Sequence, residues 1–193
     1  MSSVTLNLKS IIDKISDRDL AKLCQENPDA RLEINAKGQL IIMPPTGSLT
    51  GDRNGELLFQ IKLWNRQYKL GKVFDSSTGF QLSNTAIRSP DVSWINIKTW
   101  NSLSIEQQEK FAPIDPDFVL ELMSPTDNLM EVQTKMNEYI SCGVKLGWLI
   151  YPGNKQVEIY RKNRSKEVLD KPETLLGEDV MPNLTVDLTK IWN

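Results

Sequence analysis

Two acidic residues, Asp91 and Glu121, stand in runs of sequence that otherwise have the composition of buried β-strands. Glu121 lies in Phe118–Met123, and Asp91 follows Pro90 and leads into Val92–Ile95. Burying an ionised carboxylate in an apolar layer costs several kcal/mol unless a cation or a hydrogen-bond donor meets it. Two such strands could bring both carboxylates onto one divalent cation, because Mg²⁺ prefers hard oxygen ligands. The pair is therefore the first candidate for chemistry.

Each acid also has a structural alternative. A Pro-Asp pair at the start of a strand is commonly a turn, in which the Asp91 carboxylate accepts a backbone N–H. Alternation along the second strand places Glu121 on the face of Val119 and Met123. The opposite face is also apolar, and a strand with two apolar faces is usually buried. For Glu121 the alternative is therefore a buried structural salt bridge.

Composition narrows the chemistry further. The chain has no histidine, which excludes Ser-His-Asp and Cys-His catalysis and histidine-ligated zinc. Carboxylate, lysine and tyrosine chemistry remain. Cys24 and Cys142 lie far apart in the sequence and match no metal-binding spacing, so we expect two reduced thiols.

The net charge of −2 gives the whole molecule no basic field that would gather nucleic acid. Any contact with nucleic acid must come from a local patch, for which two stretches are candidates, although such stretches are commonly solvated surface. One comprises Arg53, Lys62, Arg66 and Lys69, and the other Lys155, Arg161, Lys162, Arg164 and Lys166.

The size of the chain predicts one domain over residues 1–193. It is 39% hydrophobic and 25% charged, in the range of a globular protein with a substantial core. It contains no run of about 18 apolar residues, which a membrane helix would need. Met1–Lys14 lacks the basic region and apolar core of a signal peptide. We therefore expect a cytoplasmic protein that does not bind membranes.

Helical and strand patterns alternate along the chain, which predicts an α/β fold. In the first half we expect a helix capped by Ser16-Asp17 that runs to Gln25, and a hairpin over Arg31–Met43. A long helix follows over Asp52–Leu70, with Gly71 as its left-handed C-terminal cap.

The second half continues the alternation around the two acids. Strand patterns cover 73–74, 80–82, 87–95, 117–123, 145–151 and 156–161, with a short helical insert over 105–111. Ser124-Pro125-Thr126-Asp127 opens a helix that runs to Cys142 and is closed by Gly143. The sequence after 161 gives no clear pattern.

This order of elements resembles the PD-(D/E)XK nuclease superfamily, which includes restriction endonucleases and Holliday-junction resolvases. The runs Glu121–Asp127, Lys135–Tyr139 and Gly147–Ile150 resemble a narrower group, the Uma-two family of restriction-endonuclease-like proteins. The resemblance spans about Leu32–Ile159. It implies a restriction-endonuclease-like PD-(D/E)XK core, with a mixed central sheet flanked by helices and an N-terminal hairpin.

The chain departs from the superfamily motif at Met123, where a lysine is expected two residues after the acid. The Uma-two family is understood to supply the lysine from the following helix, where Lys135 matches. At about 100° per residue, Lys135 lies just beyond Tyr139 at the edge of the apolar stripe, so its head could reach the strand ends. The alternative is a surface pair with Glu131 four residues earlier. If Lys135 acts on the reaction instead, we expect Lys135→Met to remove cleavage and to change stability by no more than about 0.5 kcal/mol, the usual scale for an exposed helix substitution.

The resemblance also assigns roles. Asp91 and Glu121 would bind Mg²⁺, or Mn²⁺ in its place, and Lys135 would orient the nucleophile. Glu33, in the first hairpin, matches an acidic position of the family and is a third candidate metal ligand. The implied activity is metal-dependent hydrolysis of DNA phosphodiester bonds by an endonuclease, and a homodimer is left open. Glu56 points away from the helix's apolar stripe and is left out.

Two alternatives to this function stay open. Met123 at the lysine position and the negative net charge suit a binding or regulatory module that keeps the nuclease fold without turnover. A glycoside hydrolase could use two carboxylates without histidine, but it explains neither Lys135 nor the order of elements.

Overall fold

Strands and helices alternate along the chain in the computed structural model, which describes residues 3–8 and 15–193. The α/β class is confirmed. The elements are β1 (Val4–Leu6), α1 (Asp17–Glu26), β2 (Arg31–Ile34), β3 (Leu40–Met43), α2 (Ser48–Tyr68), β4 (Gly71–Asp75), β5 (Phe80–Gln81), β6 (Ile87–Arg88), β7 (Val92–Asn96), α3 (Ile97–Trp100), α4 (Ile105–Gln108), β8 (Phe118–Leu122), α5 (Leu129–Cys142), β9 (Leu146–Tyr151), β10 (Gln156–Arg161), β11 (Glu167–Asp170), β12 (Thr174–Leu176) and β13 (Thr185–Asp187).

Within the described residues the strands form three sheets. The main sheet has six strands in the order β11-β10-β9-β8-β7-β4, and it is mixed because β8 and β9 pair in parallel while its other pairs are antiparallel. The N-terminal sheet has the order β1-β3-β2-β6-β5 and contains the predicted hairpin, and β12 pairs with β13. The mixed central sheet and the N-terminal hairpin are therefore confirmed.

Helices cover both faces of the main sheet. On one face, α2 contributes Leu57, Ile61 and Trp64 to an apolar core that also contains Leu120. On the other face, α5 contributes Met136 and Tyr139 to a core that also contains Val119 and Met123. Since successive side chains of a strand point to opposite faces, Glu121 lies on the α5 side, as the alternation predicts. All residues of β8 are buried.

The end of α2 differs from the prediction. The left-handed residue is Lys69, with φ 56°, and not Gly71. Gly71 instead begins β4, where a Cβ atom would clash with the carbonyl oxygen of Ile95 and the indole of Trp94. The glycine is needed there for a close approach between strand and tryptophan, which a local helix-end pattern does not reveal.

Two other boundaries were also wrong. The predicted strand over 87–95 is two strands in different sheets, β6 and β7, which are divided at Ser89-Pro90-Asp91. Proline lacks the N–H that a continuous ladder would need. Helix α5 begins at Leu129, with Asn128 as its N-cap. The residues before it form a turn, in which the Asp127 carboxylate accepts from the Ser124 N–H at 2.7 Å.

The C-terminal tail packs against α2. Trp64 Nε1 donates to the carbonyl oxygen of Pro182 at 3.0 Å, and the Gln60 side chain exchanges hydrogen bonds with the backbone of Asp187. Residues that carried no pattern in the sequence thus complete the core on the α2 face.

Two expectations from composition can be checked over residues 3–8 and 15–193. No helix in these ranges is long and apolar enough to span a membrane. Cys24 and Cys142 are both free thiols, as their spacing predicts.

Candidate active site

Asp91 immediately precedes β7, and Glu121 lies in β8, the antiparallel neighbour of β7. Val92 of β7 pairs with Leu120 of β8, and continuing this register by one residue places Asp91 across from Glu121. Directly opposite residues have Cβ atoms about 5 Å apart. Asp91 Oδ2 accepts a hydrogen bond from the Leu122 N–H at 2.8 Å, which fixes the carboxylate beside the strand end. We call Asp91 and Glu121 the carboxylate pair.

Lys135 reaches the carboxylate pair from α5. Its Nζ lies 2.9 Å from Glu121 Oε1 and 3.0 Å from Glu33 Oε1, and its side chain is 15% exposed. The surface pair with Glu131 is therefore not what forms. One turn later on α5, the Tyr139 hydroxyl donates to the same Glu121 Oε1 at 2.9 Å. Helix α5 thus supplies two donors to one oxygen of Glu121.

Glu33 is buried in β2 with donors on both oxygens. Its Oε1 accepts from the Ser89 N–H at 2.9 Å and from Lys135, and its Oε2 accepts from Arg88 Nη1 at 2.9 Å. Over the described parts of the chain, no group of three or more Asp, Glu, His or Cys side chains has a metal-binding arrangement. These contacts make Glu33 a partner of Lys135 and Arg88, and its role as a third metal ligand stays a prediction.

Two residues of the site were missed in the sequence. Arg88 is 7% exposed, and its Nε donates to Glu138 Oε2 at 2.7 Å while Nη1 pairs with Glu33. The result is a line of alternating charges, which we call the ion chain: Glu138, Arg88, Glu33, Lys135 and Glu121. Glu138 follows Lys135 by three residues on α5, and this spacing was the available signal, since such residues share a helix face.

The pKa values of the ion chain follow from burial and from its cations. Burial raises the pKa of Glu121 to about 7. The attraction of Lys135 lowers this pKa but only partly offsets the effect of burial, and repulsion from Asp91 raises the pKa further. Burial also raises the pKa of Asp91. For Glu33, Lys135 and Arg88 outweigh burial and lower the pKa. The carboxylate pair is therefore short of positive charge, whereas Glu33 is not.

This shortage fits a divalent cation. Asp91 and Glu121 supply hard oxygens, and each has one oxygen that no donor from the described residues meets within 3.4 Å: Asp91 Oδ1 and Glu121 Oε2. Oxygen donors of this kind suit Mg²⁺ or Mn²⁺. The residues that would hold the ion are the carboxylate pair, with Lys135 beside it.

A cavity of about 980 Å³ opens above the carboxylate pair. It is bounded by the hairpin β2–β3, the first turns of α2 and the loop between β8 and α5. Its basic lining residues are Arg31, Lys37, Arg88 and Lys135, so none comes from the two predicted basic patches. In the later patch, Arg161 pairs with Glu178 and Glu167, and Lys166 pairs with Glu158. Two of the five basic residues of that patch are therefore paired with acids.

The raised pKa of Glu121 predicts that the metal-free protein loses stability as the pH rises. The folded-state pKa of about 7 lies above the ordinary value of 4.5, so between these values the folded state binds more protons than the unfolded state. The free energy of unfolding should therefore fall from pH 5 to pH 8. Urea unfolding in EDTA measures it, with Glu121→Gln as the control that should remove most of the slope. Equal slopes in both proteins would contradict the prediction.

Two comparisons found known proteins that are similar to this chain. A model of the Uma2 family, described as “Putative restriction endonuclease”, matches residues 17–189. A crystal structure described as that of a “putative nuclease belonging to DUF820” from Anabaena variabilis is similar, with a TM-score of 0.75 and 21% sequence identity. The match covers 92% of this chain and 97% of that one, and at this identity it shows the fold. No curated protein matches.

Proposed function

Because the chain belongs to the Uma2 family of restriction-endonuclease-like proteins, we propose that it is a divalent-metal-dependent endonuclease that hydrolyses phosphodiester bonds of DNA. The family and the fold are nuclease-like. The observation that carries the proposal is the carboxylate pair beside Lys135 at an open cavity. The cation would be Mg²⁺ or Mn²⁺, and it would lower the pKa of a bound water and withdraw charge from the scissile phosphate.

Lys135 supplies a fixed positive charge at the site. Lys135 is held between Glu33 and Glu121, so its ammonium is fixed within reach of a phosphate at the carboxylate pair. A fixed positive charge stabilises the negative charge that develops on the phosphoryl oxygens. The opposing carboxylates keep the pKa of Lys135 above its ordinary value despite its burial, so the residue acts as a cation and not as a base.

Tyr139 orients the acid. Its hydroxyl and Lys135 both contact Glu121 Oε1, which leaves Glu121 Oε2 to bind the cation. The pKa of Tyr139 is raised by burial and by Glu121, so the hydroxyl remains a donor. Arg88 in turn keeps Glu33 ionised and in place. Exposed Arg31 and Lys37 at the cavity are the residues that meet the DNA backbone away from the cut.

A nicking assay tests the proposal. Supercoiled plasmid should convert to the nicked or linear form with Mg²⁺ or Mn²⁺ and stay intact in EDTA. A preparation of Asp91→Asn/Glu121→Gln made in parallel controls for contaminating nucleases. If no metal supports cleavage while fluorescence anisotropy detects DNA binding, the protein is instead the binding or regulatory module that keeps the fold without turnover. Sedimentation of the same samples tests whether the protein is a homodimer, which the sequence leaves open.

A further inference from the structure

Asn54 lies in the second turn of α2 and lines the cavity beside the carboxylate pair. Its Nδ2 lies 3.5 Å from Asp91 Oδ1, at the outer limit of a hydrogen bond. Its Oδ1 is buried and meets no donor from the parts of the chain that the structure describes. A buried polar atom without a partner costs about 1–3 kcal/mol. The amide of Asn54 is therefore poorly satisfied where it stands.

Another asparagine of the same helix shows what a satisfied amide does here. Asn65 Oδ1 accepts from the Gly71 N–H and from Trp94 Nε1, each at 3.0 Å, and its Nδ2 donates to the Gly71 carbonyl at 2.9 Å. Asn65 thus has a structural task that uses both ends of its amide. Asn54 has no comparable set of contacts: its Nδ2 makes only the long contact with Asp91 Oδ1, and its Oδ1 meets no donor from the described residues.

We propose that Asn54 is a third oxygen ligand of the cation held by Asp91 and Glu121, an inference that rests on the metal of the proposed function. Rotating the amide by 180° exchanges its nitrogen and oxygen with little movement of other atoms. The oxygen then stands where Nδ2 now faces Asp91 Oδ1. Two oxygens at that separation repel unless a cation lies between them. Without metal, the same amide donates to Asp91.

The surroundings of Asn54 leave room for a cation and its bound waters. Gly51 and Gly55 also line the cavity, and a Cβ atom at either would have nothing within 4 Å. Alanine at an exposed helix position is more stable than glycine by about 1 kcal/mol, so packing within the chain does not explain the glycines. The side of α2 that carries Asn54 is therefore open to an ion and its waters.

Mn²⁺ affinity, measured calorimetrically on the full chain, tests the inference without relying on cleavage. Asn54→Ala removes the oxygen and should weaken Mn²⁺ binding about tenfold or more, the scale seen when a residue that supports a metal site is lost. Asn54→Asp keeps an oxygen at that place and should bind Mn²⁺ at least as tightly as the unchanged protein. Gln60→Ala removes an amide of the same helix that bonds Asp187, away from the cavity, and should leave the affinity unchanged.

The outcomes distinguish a failure of the role of Asn54 from a failure of the proposed function. If Asn54→Ala binds Mn²⁺ within twofold of the unchanged protein, while Asp91→Asn/Glu121→Gln does not bind it, the role of Asn54 is overturned and the proposed function stands. If Asn54→Asp binds as weakly as Asn54→Ala, the N–H of the amide matters and its oxygen is not a ligand. If the unchanged protein does not bind Mn²⁺, the proposed function fails, and this inference fails with it.

Discussion

Converting both members of the carboxylate pair to amides, as Asp91→Asn/Glu121→Gln, is expected to abolish metal-dependent DNA cleavage and to stabilise the metal-free protein. Cleavage is lost because the amides no longer hold the cation, which supplies several kcal/mol of transition-state stabilisation, or about 10³-fold in rate. Stability rises because burial disfavours both charges, as the raised pKa values of Asp91 and Glu121 indicate. At pH 8 we expect a gain of about 2 kcal/mol.

Plasmid nicking and urea unfolding in EDTA measure the two effects on the same preparations. Glu106→Gln is the matched control, since Glu106 is an exposed acid paired with Lys110 at 2.6 Å, and an exposed pair contributes about 0–1 kcal/mol. The control should cleave normally and keep its stability. A double variant that still cleaves, or that is less stable than the unchanged protein at pH 8, would show that the carboxylate pair is structural.

Lys135→Met is expected to remove cleavage and to destabilise the protein. The rate should fall at least about 10²-fold, because a fixed donor at the developing charge is lost. The free energy of unfolding should fall by about 3 kcal/mol, because Glu33 and Glu121 are left buried without their shared cation. The sequence predicted a change of no more than about 0.5 kcal/mol for this variant, on the scale of an exposed helix position. The larger value is expected because the Lys135 side chain is only 15% exposed and pairs with two buried acids.

The matched control is Lys110→Met. Lys110 Nζ lies 2.6 Å from Glu106 Oε1, and both side chains are exposed, so its loss should cost less than about 1 kcal/mol and leave cleavage intact. Glu131→Gln should be silent in both assays, because Lys135 pairs with other acids. Normal cleavage by Lys135→Met would remove the lysine from the mechanism and leave the carboxylate pair and the metal.

Local sequence patterns predicted where the acidic residues of the site lie, but they did not predict all of the residues that pair with them. Strand alternation gave the face of Glu121, and helical spacing put Lys135 within reach of the strand ends. Arg88 and Glu138 were missed because the ion chain draws on β2, β6, α5 and β8, and no local pattern links residues so far apart in sequence. The pairing of Arg161 with Glu178 was not predicted for the same reason, since the two residues meet only in the folded structure.

The role of Met123 also could not be predicted from the local sequence. The sequence shows only that the lysine of the superfamily motif is missing there. In the structure Met123 is 4% exposed and packs in the core that holds Tyr139 and Met136. The apolar side chain completes the layer under α5, and the ammonium comes instead from the helix above it.

Under the proposed function, the ion chain would also link activity to the completion of folding. Arg88 and Glu33 are 55 residues apart in sequence, and Lys135 is synthesised later still. The ion chain can therefore form only after most of the protein has been synthesised. Contacts between residues so far apart in sequence form slowly, because a long loop must be closed before they can form. A nascent or locally opened molecule whose first hairpin is undocked would carry both acids, but Lys135 would lack Glu33, one of its two partners. Under the proposed function, full activity would therefore require the docked hairpin as well as the carboxylate pair.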